Sequence, residues 1–145
     1  MPLDYYCPHS DILKPFFGRQ SKIDSREKAF AFVLGVLIGA ILHCRSPHDD
    51  HAKSKLFPLS QLLSMTGNDL RALYDKVMHE LDYGIRYSKD TVEAVVEEAR
   101  HLRASLSNLN DLDEATTTYF ILYGISVSTS VCSSNARKVK KCQIK

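Results

Sequence analysis

The residues best suited to chemistry gather at one place in this chain: His43, Cys44, His48, Asp49, Asp50 and His51. Zinc takes Cys, His and carboxylate ligands, so the composition is suggestive. The spacing is not, because the segment lacks a C-x-x-C or H-E-x-x-H frame. His48-x-x-His51 therefore reads as part of a polar loop, and His43 and Cys44 as helix-end residues near the core. Nucleophilic catalysis finds no support either. There is no Gly-x-Ser-x-Gly elbow, and Cys7, Cys44, Cys132 and Cys142 sit in no recognisable activating context. Glu97 and Glu98 occupy adjacent helical positions and diverge, so they do not make a carboxylate pair. The expectation is a protein that is not an enzyme, with no metal, cofactor or small-molecule substrate.

The elements that would position these residues begin with the apolar stretch Ala29 to Cys44, AFAFVLGVLIGAILHC, sixteen residues without a charge. It contains Gly35-x-x-x-Gly39 and is bounded by Glu27 and Lys28 before, and Arg45 and Ser46 after. A membrane span needs about 20 apolar residues, and shorter runs are more often buried core helices. The run is read as the central helix of a bundle. Its glycines cost roughly 1 kcal/mol each relative to alanine in a helix, and the close approach of another helix backbone explains them. Asp24 followed by Glu27 resembles a capping box at the start.

The remaining segments read as helices around this one. Residues 1–24 are irregular, punctuated by Pro2, Pro8, Pro15 and Gly18, with at most a helical turn around Ser10 to Phe17. Ser46 to Ser54 is a polar loop, and a short helix follows Pro58. Thr66-Gly67-Asn68-Asp69 supplies a stop and a new N-cap. Leu70, Leu73, Tyr74, Val77, Met78 and Leu81 then form one stripe at a 3.6-residue period, with Gly84 suited to the C-terminal cap. A third long helix, opened by Ser88 or Asp90, turns Val92, Val95, Val96, Ala99, Leu102 and Leu106 inward. Glu93, Glu97, Glu98, Arg100, His101 and Arg103 are expected outward, with Glu97 and His101 one turn apart.

Glu114 to Val131 is rich in β-branched residues, and Ile125, Val127, Thr129 and Val131 alternate as in a strand. No partner strand is evident, and a lone strand leaves its backbone unsatisfied. With Asp111 and Glu114 resembling a second capping box, the segment is expected to be helical. The fold class is all-α: a single domain over residues 1–145, with an irregular segment 1–24, a compact bundle of about five helices over 25–132, and a basic tail over 133–145.

At 145 residues and 44% hydrophobic, the chain is long enough to bury a sizeable core. The N-terminus lacks the basic and apolar regions of a secretory signal, and the scattered cysteines fit reduced thiols; a cytoplasmic protein is expected. Five of its nineteen basic residues lie in the tail, which leaves fourteen bases against seventeen acids elsewhere. The body is therefore unlike a strongly basic DNA-binding module.

Several stretches carry a family resemblance. Glu27-Lys28-Ala29-Phe30 running into Phe32-Val33-Leu34-Gly35-Val36-Leu37-Ile38-Gly39 resembles the C-terminal region of the large subunit of type I-B CRISPR Cascade complexes. The similarity continues through the leucine-rich turn Leu59 to Asn68 and Leu73-Tyr74-Asp75-Lys76-Val77. It closes on Thr117-Thr118-Tyr119-Phe120-Ile121-Leu122-Tyr123-Gly124, so it spans roughly Asp24 to Val131. In that family the region is also made separately, by internal translation start, as the Cascade small subunit, and a chain beginning at Met1 looks like that case. The resemblance implies a non-catalytic helical bundle, stacked in several copies. Its partners would be crRNA-bound backbone subunits, the large subunit, other copies of itself and target DNA in the R-loop. The acids and histidines of the Ser46 to Lys55 loop and the lysine-rich tail depart from the family pattern.

Such a subunit needs shape and phosphate contacts rather than base readout. The expected phosphate-facing residues are Arg45, Lys53, Lys55, Arg71 and Lys76. Arg100, Arg103 and the tail residues Arg137, Lys138, Lys140 and Lys141 come second. The rival readings are a helical protein–protein adaptor with no nucleic-acid role, and a small membrane protein with spans at Phe30 to Leu42 and Tyr119 to Val131.

Overall fold

The apolar run becomes a helix, α1, Arg26–Cys44, whose every residue from Ala29 to Ile41 is buried. These come from a computed structural model that describes residues 8, 13, 23–44, 59–81, 89–106 and 112–128. A helix apolar on all sides belongs inside a bundle, and Phe30, Phe32, Leu34, Leu37, Ile38 and Ile41 are all fully enclosed. Each such side chain contributes about 1.5–3 kcal/mol by leaving water. The uninterrupted apolar part, Ala29 to Leu42, is ~21 Å long at 1.5 Å per residue, against ~30 Å of bilayer hydrocarbon. Among the described residues no helix is long and apolar enough to cross a membrane.

The start of α1 corrects the expected cap. Ser25, one residue after Asp24, takes the capping role: the Lys28 amide donates to its Oγ at 3.2 Å. Asp24 instead accepts from the Lys28 ammonium at 2.9 Å. Upstream, Leu13, in a 3-10 turn, and Ile23 are both buried in the same core.

Short helix α2, Leu59–Leu63, is followed by a 3-10 turn, Gly67–Asp69. The Asp69 carboxylate accepts from the Thr66 amide at 2.8 Å and the Thr66 hydroxyl at 3.1 Å, so the Thr-Gly-Asn-Asp segment stops one helix and starts the next as expected. Helix α3, Leu70–Leu81, buries Leu70, Leu73 and Val77, with Tyr74, Met78 and Leu81 partly buried against the core. Phe30 of α1 meets Tyr74 of α3 at a ring separation of 5.9 Å. Gly84, the expected C-cap, lies outside the described residues.

Helix α4, Lys89–Ser105, begins between the two expected openers, Ser88 and Asp90. Val95, Ala99, Leu102 and Leu106 are buried as expected. Glu98 is not outward: only 1% of it is exposed. The helical register explains this, because position 98 is one turn after Val95 and one turn before Leu102 on the inward stripe. Glu98 is not without a partner in the protein, and a carboxylate at such a position needs one. Glu97 pairs with Arg100, their Oε2 and Nη1 atoms 2.8 Å apart, with both side chains largely in solvent.

Residues 114–128 form α5, so the β-branched stretch is helical and the described residues contain no strand. Its cap is Asp113, whose Oδ1 accepts from the Thr116 amide at 2.7 Å; Asp111, the expected cap, lies outside the described residues. Among the described residues the fold is an all-α bundle of five helices, with α1 at its centre. Both α3 and α4 pack on α1, and α5 meets it backbone to backbone. A Cβ on Gly35 would strike the main chain of Ile121, and a Cβ on Gly124 would strike the Phe32 carbonyl. Gly39 lies against Ser128 and Ile125. The contacts advance together along both helices, so α1 and α5 run in the same direction, Gly35-x-x-x-Gly39 against Gly124-x-x-x-Ser128. The glycines serve the close backbone approach expected of them.

Candidate functional site

Of the eleven cations expected to face phosphate, four fall among the described residues, and they lie on two helices. Arg71 and Lys76 are on α3, where both are half-buried and engaged with other groups of the chain. Lys76 borders a cleft of about 330 Å³ with Gln61, Ser64, Met65, Asp69, Ala72 and Leu73. The Asp69 carboxylate thus shares the cleft that Lys76 lines. On α4, Arg100 is exposed and bonded to Glu97, and Arg103 is half-buried one turn further on. Arg45, Lys53, Lys55, Arg137, Lys138, Lys140 and Lys141 lie outside the described residues. So do the side chains of His43 and Cys44 and all of His48, Asp49, Asp50 and His51. Among the described residues no group of three or more His, Cys, Asp or Glu side chains is arranged to hold a metal ion.

A different surface is built by α2 and α5. The exposed large apolar side chains of the described residues are Leu63, Tyr119 and Leu122, the first on α2 and the others on α5. They are drawn together by Thr118, whose hydroxyl donates to the Leu62 carbonyl at 3.2 Å and the Leu63 carbonyl at 3.3 Å. These carbonyls end α2 and lack helical partners of their own. Tyr119 and Leu122 lie one turn apart, on the opposite side of α5 from the buried Thr117, Phe120, Ile121, Gly124 and Ser128.

Tyr119 is held by its neighbours while remaining 43% exposed. Its ring meets Phe120 edge-on at 5.0 Å and stacks with Tyr123 at 6.2 Å. Tyr123 in turn meets Phe32 of α1 at 5.1 Å. On the α1 side, Tyr119 borders an open cleft of about 510 Å³ shared with Asp24, Lys28, Ala115, Thr116 and Phe120.

One end of this surface is acidic. The Gly67 amide donates to the Leu112 carbonyl at 3.2 Å, which brings the Thr66–Asp69 turn beside the start of α5. Asp69, Asp113 and Glu114 are all exposed there. Asp113 is held below the usual aspartate range by its hydrogen bonds from Thr116, so it stays charged well into acid. The segments that build the surface, residues 59–70 and 112–128, contain no Lys, Arg or His.

Sequence reasoning placed Tyr119 and Leu122 within the last helix without marking them as a surface. The signal was present in the helical register, because the inward positions of α5 fix which residues face away. The pairing with Leu63 depends on a hydrogen bond across more than fifty residues, which no local pattern reveals. Comparison with protein-family models, curated proteins and solved structures finds no match to this chain.

Proposed function

We propose that this protein is a non-catalytic, cytoplasmic small subunit of a CRISPR Cascade-type effector complex. It would stack in several copies along guide-RNA-bound backbone subunits, beside the large subunit, and support target DNA strands in the R-loop. The observation that supports this reading most directly is the placement of the resembling stretches. Each contains helical residues, and the stretches on α1 and α5 meet backbone to backbone at Gly35 and Gly124. Salt-sensitive phosphate contacts would come from Arg71, Lys76, Arg100 and Arg103, together with the loop and tail cations. A chain with a formal net charge of only +2 binds a polyanion weakly by itself, and stacked copies gain through avidity.

The test is affinity purification of the tagged chain from its native cells, followed by sequencing of the RNA retained. Repeat-derived guide RNA is expected in the eluate. Recovery of protein partners without such RNA would replace this reading with the second one, a helical adaptor without a nucleic-acid role. That alternative is favoured by the exposed Leu63, Tyr119 and Leu122.

A further inference from the structure

We infer that the α2–α5 face is a protein-docking surface, and that its partner is an amphipathic segment carrying basic residues at one end. The inference does not depend on the guide-RNA reading. Three observations lead to it. The exposed large apolar residues of the described chain lie on α2 and α5, two helices joined by the Thr118 hydroxyl, and neighbouring exposed apolar residues mark an interaction site more than scattered ones do. Tyr119 is fixed by two aromatic neighbours, so it offers contact area with little ordering left to lose, as interface anchors do. The rim is of one sign: Asp69, Asp113 and Glu114 stand exposed at one end, and the segments forming the face supply no cation. Two cations border the face from neighbouring helices: Lys28 is paired with Asp24, and Lys76 lines the cleft beside Asp69, which leaves Asp113 and Glu114 as the rim acids with no cation in the segments around them.

That charge decides the class of partner. A nucleic-acid strand stacking on Tyr119 would bring phosphates toward three carboxylates, so the field opposes it. A Lys- or Arg-bearing protein segment is steered toward the same carboxylates. Its apolar side chains would cover Leu63, Tyr119 and Leu122, and its cations would lie beside Asp69, Asp113 and Glu114. The Asp113 charge is available although that residue caps α5, because the capping bonds favour the ionised form.

The test uses the full chain and three fluorescein-labelled probes. These are an amphipathic helical peptide of leucine and lysine, the same peptide with glutamate for lysine, and an oligothymidylate strand. The leucine–lysine peptide should bind saturably and more weakly as salt rises. Tyr119→Ser and Leu63→Ser should each weaken it by about 30-fold, as loss of an interface anchor does. Asp113→Asn with Glu114→Gln should weaken it by about fivefold, as loss of rim charges does, and asparagine preserves the α5 cap. Glu93→Gln, on the exposed side of α4, should leave binding unchanged. Circular dichroism confirms that each variant retains its helices, and the two serine variants lie on different helices, so a folding failure in one leaves the other to report. Equal binding of the glutamate peptide, insensitivity to these substitutions, or saturable binding of the oligothymidylate alone that Tyr119→Ser abolishes would each overturn the inference. Peptide failure leaves the RNA pull-down unaffected, and RNA failure leaves the peptide result standing.

Discussion

Gly35 and Gly124 face one another where α1 crosses α5, and each lies over the carbonyl three residues before the other, Ile121 beneath Gly35 and Phe32 beneath Gly124. This reciprocal arrangement turns a Cα hydrogen of each glycine toward a carbonyl oxygen, a weak contact worth about 0.5–1 kcal/mol. It also brings the two backbones closer than any side chain permits. Gly35→Ala and Gly124→Ala should each destabilise the protein by about 2 kcal/mol or more, because overpacking against rigid main chain outweighs the ~1 kcal/mol gain in helix propensity. Urea unfolding measures this; a neutral or stabilising result for either variant would remove the close crossing.

Gly39 differs, because the nearest obstacle to a Cβ there is the Ser128 side chain, with Cβ at 2.6 Å and Oγ at 2.8 Å. Gly39→Ala should therefore be partly rescued by Ser128→Gly, with a coupling of about 1 kcal/mol between neighbouring sites. No side-chain change at Ile121 should rescue Gly35→Ala, since its obstacle is backbone. A double-mutant cycle distinguishes the two cases, and absence of coupling at 39/128 would contradict the parallel register of α1 and α5.

How far the sequence could be read follows from where its information lies. The burial of α1 is legible because an apolar run of this length, closed by charges, has few alternatives, and its glycines announce a close neighbour without naming it. The stripe on α3 is legible because Leu70, Leu73 and Val77 repeat at the helical period. The helix at 114–128 is legible only through elimination, since tertiary packing on α1 overrides its β-branched composition. Caps are displaced by one or two residues, from Asp24 to Ser25 and from Asp111 to Asp113, because several capping residue types adjoin each helix start. Glu98 runs against expectation because its charge favours the surface while its register, one turn from both Val95 and Leu102, places it inward. The apolar face is harder, since Leu63 joins Tyr119 and Leu122 only through the Thr118 bond to the end of α2.

Adjacent glutamates on α4 provide a direct test of that register. Glu98 is buried and engaged, whereas Glu97 holds only a solvent-exposed pair with Arg100. Glu98→Ala should destabilise by about 2–3 kcal/mol, because it removes packing at a buried position and breaks the interaction that Glu98 makes there. Glu97→Ala should stay within about 0.5 kcal/mol, as exposed ion pairs contribute little. Equal effects from the two would return Glu98 to the surface.

Asp113 predicts a pH dependence. Its hydrogen bonds from Thr116 lower its folded pKa, so the ionised cap stabilises the folded chain above the ordinary aspartate value of about 3.9. That contribution falls away as pH drops through the lower folded value. Thermal melts should place Asp113→Ala below the parent protein at neutral pH, with the gap narrowing as acid protonates the cap. Asp113→Asn should stay near the parent at neutral pH, because asparagine caps a helix about as well, and should lose this part of the pH dependence. A gap between parent and Asp113→Ala that stays constant from neutral pH into strong acid would show that the carboxylate charge contributes nothing at the start of α5.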